Sequence, residues 1–261
     1  MIHVRTPDEI DAIAQAGVIL GGFFEAVRPK VAPGVSTKAL DRFCEEYITS
    51  YAGAVPAFKG LYGFPGSACI SINEEVVHGI PSERRILRER DIVSVDVGVR
   101  LDGWYTDAAR TYPVGKIAPD AEELLDFTWR ALGSAVGAAV RGNNVGDIGA
   151  AVVAALGSRP YGIIRDLVGH GIGRELHEEP QVPNVGRPGH GPLLRVGMVL
   201  AIEPMISAGT ANIRTLEDGW TVVTADGALS AHFEHTVAIT AEGPKVLTTA
   251  GDPADALLRG A

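Results

Sequence analysis

A carboxylate in the middle of an apolar strand needs a partner, and Asp96 occupies such a place in Ile92-Val-Ser-Val-Asp-Val-Gly-Val99. Val93, Val95 and Val97 alternate with Ser94, Asp96 and Gly98, so the acid shares one strand face with small residues. Asp102-Gly103 is a strong two-residue hairpin signal joining this segment to a second one, Trp104 to Tyr112. A turn there pairs Leu101 with Trp104 and Asp96 with Ala109. Asp107 then projects from the same face as Asp96 at the diagonal position, roughly 7–8 Å away at the backbone. Two like charges at that spacing raise each other's pKa unless a cation sits between them. Taken alone, the hairpin is explained equally well by a solvated face carrying two unrelated acids.

Three further residues change the balance. His170 is framed by glycine in Gly169-His-Gly-Ile-Gly173, where backbone can approach closely on either side. The run lacks the second half of a dinucleotide-binding glycine pattern, so phosphate binding is not indicated. Glu203 and Glu234 each stand in an apolar strand-like segment, Val199 to Met205 and Ala231 to Val237, with almost no basic residue nearby. Four carboxylates match the charge of two divalent cations, and a neutral imidazole adds a fifth donor.

The elements that must position these groups follow from periodicity and caps. Thr6, Pro7 and Glu9 form a capping box at the head of a helix whose Ile10, Ile13, Gly17, Leu20 and Phe24 share a face. Ser36 or Thr37 opens a second helix carrying Leu40, Phe43, Cys44, Tyr47, Ile48 and Tyr51. Strands are expected at 68–72, 92–99 and 104–112, then helices from Pro119 to about Val140 and from Val145 to Leu156. Strand-like segments return at 199–203, 220–224 and 231–239. The order helix, helix, strands, repeated, predicts an α+β fold in a single domain, 1–261, with similar halves of roughly 1–117 and 118–261.

Composition excludes several classes. With 46% hydrophobic and 21% charged residues the chain is an ordinary globular one rather than collagen, coiled coil or a disordered segment. A formal charge of -9 repels phosphate backbones and anionic membranes, so neither nucleic-acid recognition nor membrane binding is expected. Cys44 and Cys69 form no zinc spacing or disulfide framework, and reduced thiols fit the cytoplasm. The uncharged run from Ala12 to Phe24 follows acidic residues and is short for a membrane span, so it is read as neither signal peptide nor anchor.

The segments Ile70-Ser-Ile-Asn-Glu-Glu-Val-Val-His-Gly-Ile-Pro81, Ser94 to Gly98, Asp102 to Asp107, Gly169 to Gly173, Ile202 to Met205 and Phe233 to Thr236 resemble, in order, the motifs of type I methionine aminopeptidases. The similarity runs from the first helix to about residue 248. It implies a pita-bread (creatinase/aminopeptidase) fold, with two pseudo-symmetric halves around a curved antiparallel sheet and helices on its outer face. The implied activity is metal-dependent hydrolysis that removes the N-terminal methionine of nascent polypeptides, with a small residue preferred after it. A water or hydroxide bridging two divalent ions (Co, Mn, Fe or Zn) would attack the first peptide carbonyl. The implied ligands are Asp96, Asp107, His170, Glu203 and Glu234, with Asp107 and Glu234 bridging and Asp96 bidentate.

Residue by residue, His78 and His177 match the family's two non-ligand active-site histidines, and Glu203 would also move the water's proton. Phe58, Leu61, Phe64, Cys69, Leu176 and Trp220 match positions lining the methionine pocket. Leu61 and Phe64 stand where tyrosine is common in that family and Phe58 where cysteine is common, which implies a more apolar rim. His3, His190 and His232 match nothing and are read as structural or exposed. His235, next to Glu234, is expected on the opposite strand face. A monomer is expected, with the ribosome that carries nascent chains as a candidate partner. Prolidases resemble the ligand set but carry an extra N-terminal domain. Type II methionine aminopeptidases carry a helical insertion for which the short His170–Glu203 and Glu203–Glu234 intervals leave little room. A non-catalytic relative would be expected to have lost ligands.

Overall fold

A computed structural model describes residues 1–249. Among them the order is α1 (Pro7–Val27), α2 (Thr37–Thr49), β1 (Ala54–Pro56), β2 (Cys69–Ile72), β3 (Glu75–Val77), β4 (Ile92–Leu101) and β5 (Trp104–Pro113). Then come α3 (Pro119–Ala138), α4 (Val145–Leu156), β6 (Gly162–Ile163), β7 (Gly169–Gly171), β8 (Glu178–Val182), β9 (Val199–Ile202) and β10 (Met205–Ser207). β11 (Ile213–Thr215), β12 (Val222–Thr224), β13 (Ser230–His232), β14 (His235–Ile239) and β15 (Pro244–Val246) follow. The α+β class is as expected.

The strands pair antiparallel in four sheets. β4 pairs with β1, β2 and β5; β15, β14, β9, β7 and β8 line up in that order; β13-β10-β6 and β11-β12-β3 are shorter. One apolar cluster joins α1 and α2 to β2, β4 and β5 through Leu20, Phe23, Leu40, Val95 and Val97. A second joins α3 and α4 to β9 and β14 through Leu124, Leu132, Ile148, Leu200 and Val237. The helices therefore cover the sheet face opposite the acids. Helix α1 is long and apolar enough to cross a membrane, but much of it is buried inside the protein, as the Ile13, Leu20 and Phe24 face predicts.

Local chemistry explains where the elements begin and end. Thr6 accepts from the Glu9 N–H at 3.3 Å while the Glu9 carboxylate accepts from the Thr6 N–H at 2.9 Å, completing the expected capping box. Helix α2 stops at Thr49, so Tyr51 lies outside it and is exposed, against expectation. Helix α3 ends two residues early because Ala139 leaves helical backbone at ψ 55°. The segment expected from Trp220 becomes a strand only at Val222, since Asp218 draws the N–H groups of Trp220 and Thr221 into a turn, both at 2.8 Å. The expected 231–239 strand is broken at Phe233 and Glu234, and β9 stops at Ile202 ahead of Glu203-Pro204. Both glutamates thus sit where the ladder opens.

Close approach at the glycine-framed histidine is also real. A Cβ on Gly169 would meet the Ala201 carbonyl oxygen at 2.3 Å, and one on Gly171 the Glu179 oxygen at 2.2 Å. Both contacts are with backbone, which cannot swing aside. Gly171→Ala should therefore destabilise the protein by about 1–3 kcal/mol, the usual cost of overpacking. Urea unfolding checks this, and an unchanged midpoint would show that β7 and β8 can separate freely.

Candidate active site

The hairpin has the register its turn predicts: Leu101 faces Trp104, Asp96 faces Ala109 and Gly98 faces Asp107. Asp102 and Gly103 have φ of 50° and 81°, the left-handed pair that a tight two-residue turn requires. Asp96 and Asp107 are both buried, which removes the solvated-face explanation. Strand β14 closes on this hairpin from the other ladder. The Glu234 N–H donates to the Ala109 oxygen at 3.0 Å, and Thr236 Oγ1 donates to the Asp107 oxygen at 2.8 Å while accepting the Asp107 N–H at 3.0 Å. Buried Arg110 donates from Nη1 to the carbonyl oxygens of Ala109 and Glu234 at 3.0 and 2.8 Å, with Phe24 and Trp129 under its guanidinium. Glu234 is fixed by its backbone rather than by its sequence neighbours.

The five predicted donors come together. Ligand atoms of Asp107, His170 and Glu234 lie within 4.8 Å of one another. His170 Nε2 is 3.8 Å from Asp107 Oδ2 and 3.7 Å from Glu203 Oε1. The Asp96 carboxyl contacts that of Asp107. His170 Nδ1 is 2.9 Å from the Gly171 carbonyl oxygen and so carries the proton, leaving the Nε2 lone pair aimed at two carboxylates. Asp96 Oδ1, Asp107 Oδ1 and Glu234 Oε1 are buried without a hydrogen-bond partner among the described residues. Lone pairs of acids and an imidazole converging on one point fit a divalent cation.

The electrostatics agree. Burial, then the Asp107 and Glu203 charges, push the Asp96 carboxyl well above its ordinary range, and burial raises Asp107 to about 7. Burial and the neighbouring acids likewise raise Glu203 and Glu234. Burial, then His177, lowers His170 to about 4, and burial lowers His78 and His177. The imidazoles are neutral, as metal ligands and hydrogen-bonding groups need to be.

Above the acids lies a cavity of about 830 Å³. His78, His177 and all six predicted pocket residues line it. The His177 ring sits 4.5 Å from that of His170, edge to face. His78 has φ 61°, an uncommon conformation for a non-glycine residue, held by hydrogen bonds of Gly79 to Ile70 and Ser71. Phe64 and Trp220 meet edge to face at 5.2 Å, and Phe58 packs on the hairpin at Gly98. Phe58, Phe64, Cys69 and Leu176 are buried, giving one apolar wall beside the polar floor.

Two residues of the site were not expected. Tyr62 lines the cavity and stacks on His177 at 6.2 Å with rings nearly parallel; nothing in its spacing signals this. His232, read as structural or exposed, is buried rather than exposed, with Nε2 3.7 Å from Glu203 Oε2. Its signal was its place two residues before Glu234, which puts both on one strand face. His3 is exposed at the cavity mouth and His190 is exposed elsewhere. His235 points away as expected, its Nδ1 2.7 Å from Thr248 Oγ1 and its ring edge to face with Trp129 at 5.8 Å.

The model of metallopeptidase family M24 matches residues 11–241. The chain belongs to metallopeptidase family M24. Within the family, a methionine aminopeptidase of Clostridium perfringens is 50% identical over 248 residues, covering 95% of this chain and 99% of that protein. The crystal structure of methionine aminopeptidase from Thermotoga maritima superposes with a TM-score of 0.93 at 44% identity, over 95% of this chain and all of that one. Prolidase from Pyrococcus furiosus, at 24% identity, shares the fold with a TM-score of 0.76, over 94% of this chain and 65% of that one. An acid-and-imidazole cluster suited to a divalent ion is what an M24 metallopeptidase requires.

Raised carboxyl pKa values carry a sign for stability. In the unfolded chain these groups ionise near pH 4, whereas Asp107 in the fold ionises near 7 and the others are raised too. Between those values the unfolded state holds fewer protons on the acids. His170, His78 and His177, lowered in the fold, oppose the acids below about pH 6.5 by taking up protons on unfolding; above that only the acids remain, so the metal-free M24 fold loses stability as pH rises from about 7 to 8. Calorimetry on metal-free protein should show the melting temperature falling across that window, and Mn(II) should restore it at pH 8. A flat profile would mean that the acids are not held together without metal.

Proposed function

We propose that this M24 enzyme is a methionine aminopeptidase, hydrolysing the peptide bond after an N-terminal methionine when a small residue follows. The observation that carries it is the adjacency of two walls in one cavity: five hard donors on the floor, and an apolar pocket of Phe58, Leu61, Phe64, Cys69, Leu176 and Trp220 beside them. A thioether fits such a pocket, since sulfur packs well on the edges and faces of Phe64 and Trp220. Relatives with the same name match almost the whole chain, which supports the same substrate here.

Asp96, Asp107, His170, Glu203 and Glu234 would hold two divalent ions. When bound, such ions supply Lewis acidity that lowers the pKa of water and polarises a carbonyl. The remaining work falls to the protein. Glu203, with one oxygen toward His170 and a raised pKa, takes the proton of the attacking water and passes it to the leaving amine. His177, beside His170 and open to the cavity, donates to the developing oxyanion. His78, pinned by its backbone conformation, orients the peptide at the leaving nitrogen. The whole chain acts as one catalytic domain whose halves meet at the acids.

Asp107→Asn should abolish release of methionine from a Met-Ala-Ser peptide and lower the number of bound ions from two, read by elemental analysis. Full turnover in that variant would refute the metal reading. His177→Ala should cut kcat by about 10²-fold, the cost of losing one oxyanion donor, with metal content unchanged. Loss of an ion there would make His177 a ligand instead.

A further inference from the structure

Glu203 is held differently on its two sides. Oε1 faces His170 Nε2 at 3.7 Å, on the side where the donors converge, while Oε2 faces His232 Nε2, also at 3.7 Å. His232 is 1% exposed, and neither of its ring nitrogens has a hydrogen-bond partner among the described residues. A buried imidazole without a partner is rare, and the Glu203 carboxylate is the acceptor within reach. The backbone of His232 cannot drift. Its N–H donates to Thr111 Oγ1 at 2.9 Å, and the same hydroxyl donates back to the His232 oxygen at 2.8 Å. Its ring is therefore presented to Glu203 from a point on β13 that Thr111 of β5 holds in place.

We propose that His232 is a positioning residue for Glu203: its Nε2–H holds Oε2 and so fixes Oε1 toward the ions and the attacking water. This rests on the reading of Glu203 as ligand and proton carrier. The 3.7 Å gap from His232 Nε2 to Glu203 Oε2 is longer than a hydrogen bond and would have to close, as contacts in catalytic sites often do only in the bound complex. The division of labour matters because Glu203 follows the end of β9 and precedes Pro204, so its backbone receives no further ladder support.

Three variants separate positioning from packing. His232→Gln retains an N–H donor of sufficient reach, His232→Asn retains the polarity but is too short, and His232→Leu removes the donor. Mn(II) titrated into metal-free protein by calorimetry, and kcat and KM on Met-Ala-Ser, are the readouts. Asn and Leu should weaken Mn(II) affinity and lower kcat by about 10–100-fold with KM little changed, while Gln stays within a few-fold of wild type. If Asn and Gln behave alike, His232 does not act through Glu203 and the proposal falls, even where the Leu variant does not fold. Wild-type enzyme that binds Mn(II) yet leaves Met-Ala-Ser uncut would count against the aminopeptidase reading. The order of Mn(II) affinities among the variants would still decide the role of His232.

Discussion

Four carboxylates drawn out of water around one point repel one another, and the rest of this structure is arranged to bear that repulsion until a cation offsets it. Asp96, Asp107, Glu203 and Glu234 all have raised pKa values for this reason, with burial as the largest cause in each. No lysine or arginine reaches them directly among the ion pairs of the described residues; the nearest cation, Arg110, touches backbone oxygens behind Glu234. A cationic side chain in front would neutralise one acid and take its place on the metal. Behind the backbone it lends a milder field and leaves the lone pairs free.

The groups that carry the acids are fastened to one another by backbone and hydroxyl contacts rather than by the acids themselves. Thr236 clips β14 to Asp107, Thr111 clips β13 to the same hairpin, and Glu234 itself bonds to Ala109. Both clips cross from one ladder to another, so the cluster is rigid where the sheet would otherwise be free to open. The glycines around His170 serve the same end, letting β7 lie against the backbone of β9 and β8 with no side chain between. Preorganisation of this kind is what lets ligands accept an ion without rearranging.

The cavity then divides chemically. Its floor is polar and its wall is made of Phe58, Phe64, Cys69 and Leu176, buried side chains with no charge to compete for the ions. The three imidazoles at the boundary, those of His78, His170 and His177, are kept neutral by burial. Neutral rings can accept or donate on demand, and they add no repulsion to incoming cations. Tyr62 lies parallel to His177 on the solvent side, its ring centroid 6.2 Å away.

Much of this was legible in the chain. The Asp96–Asp107 relationship needs only a two-residue turn and the alternation of a strand, both local, and the observed register agrees pair for pair. Helix starts were equally local, because a capping box and a proline act within one turn. The later ligands, the histidines and the pocket came from the order of motifs, and the fold brings all of them to one cavity. What local pattern could not decide was where strands break and what meets across ladders. Glu203 and Glu234 read as mid-strand residues, yet both stand at breaks, since Pro204 has no N–H and Glu234 bonds across to Ala109 instead of along its own ladder. Tyr62 and His232 belong to the site only because distant segments fold against it. An approach between residues far apart in sequence leaves no period to read, and only the closed tertiary structure determines it.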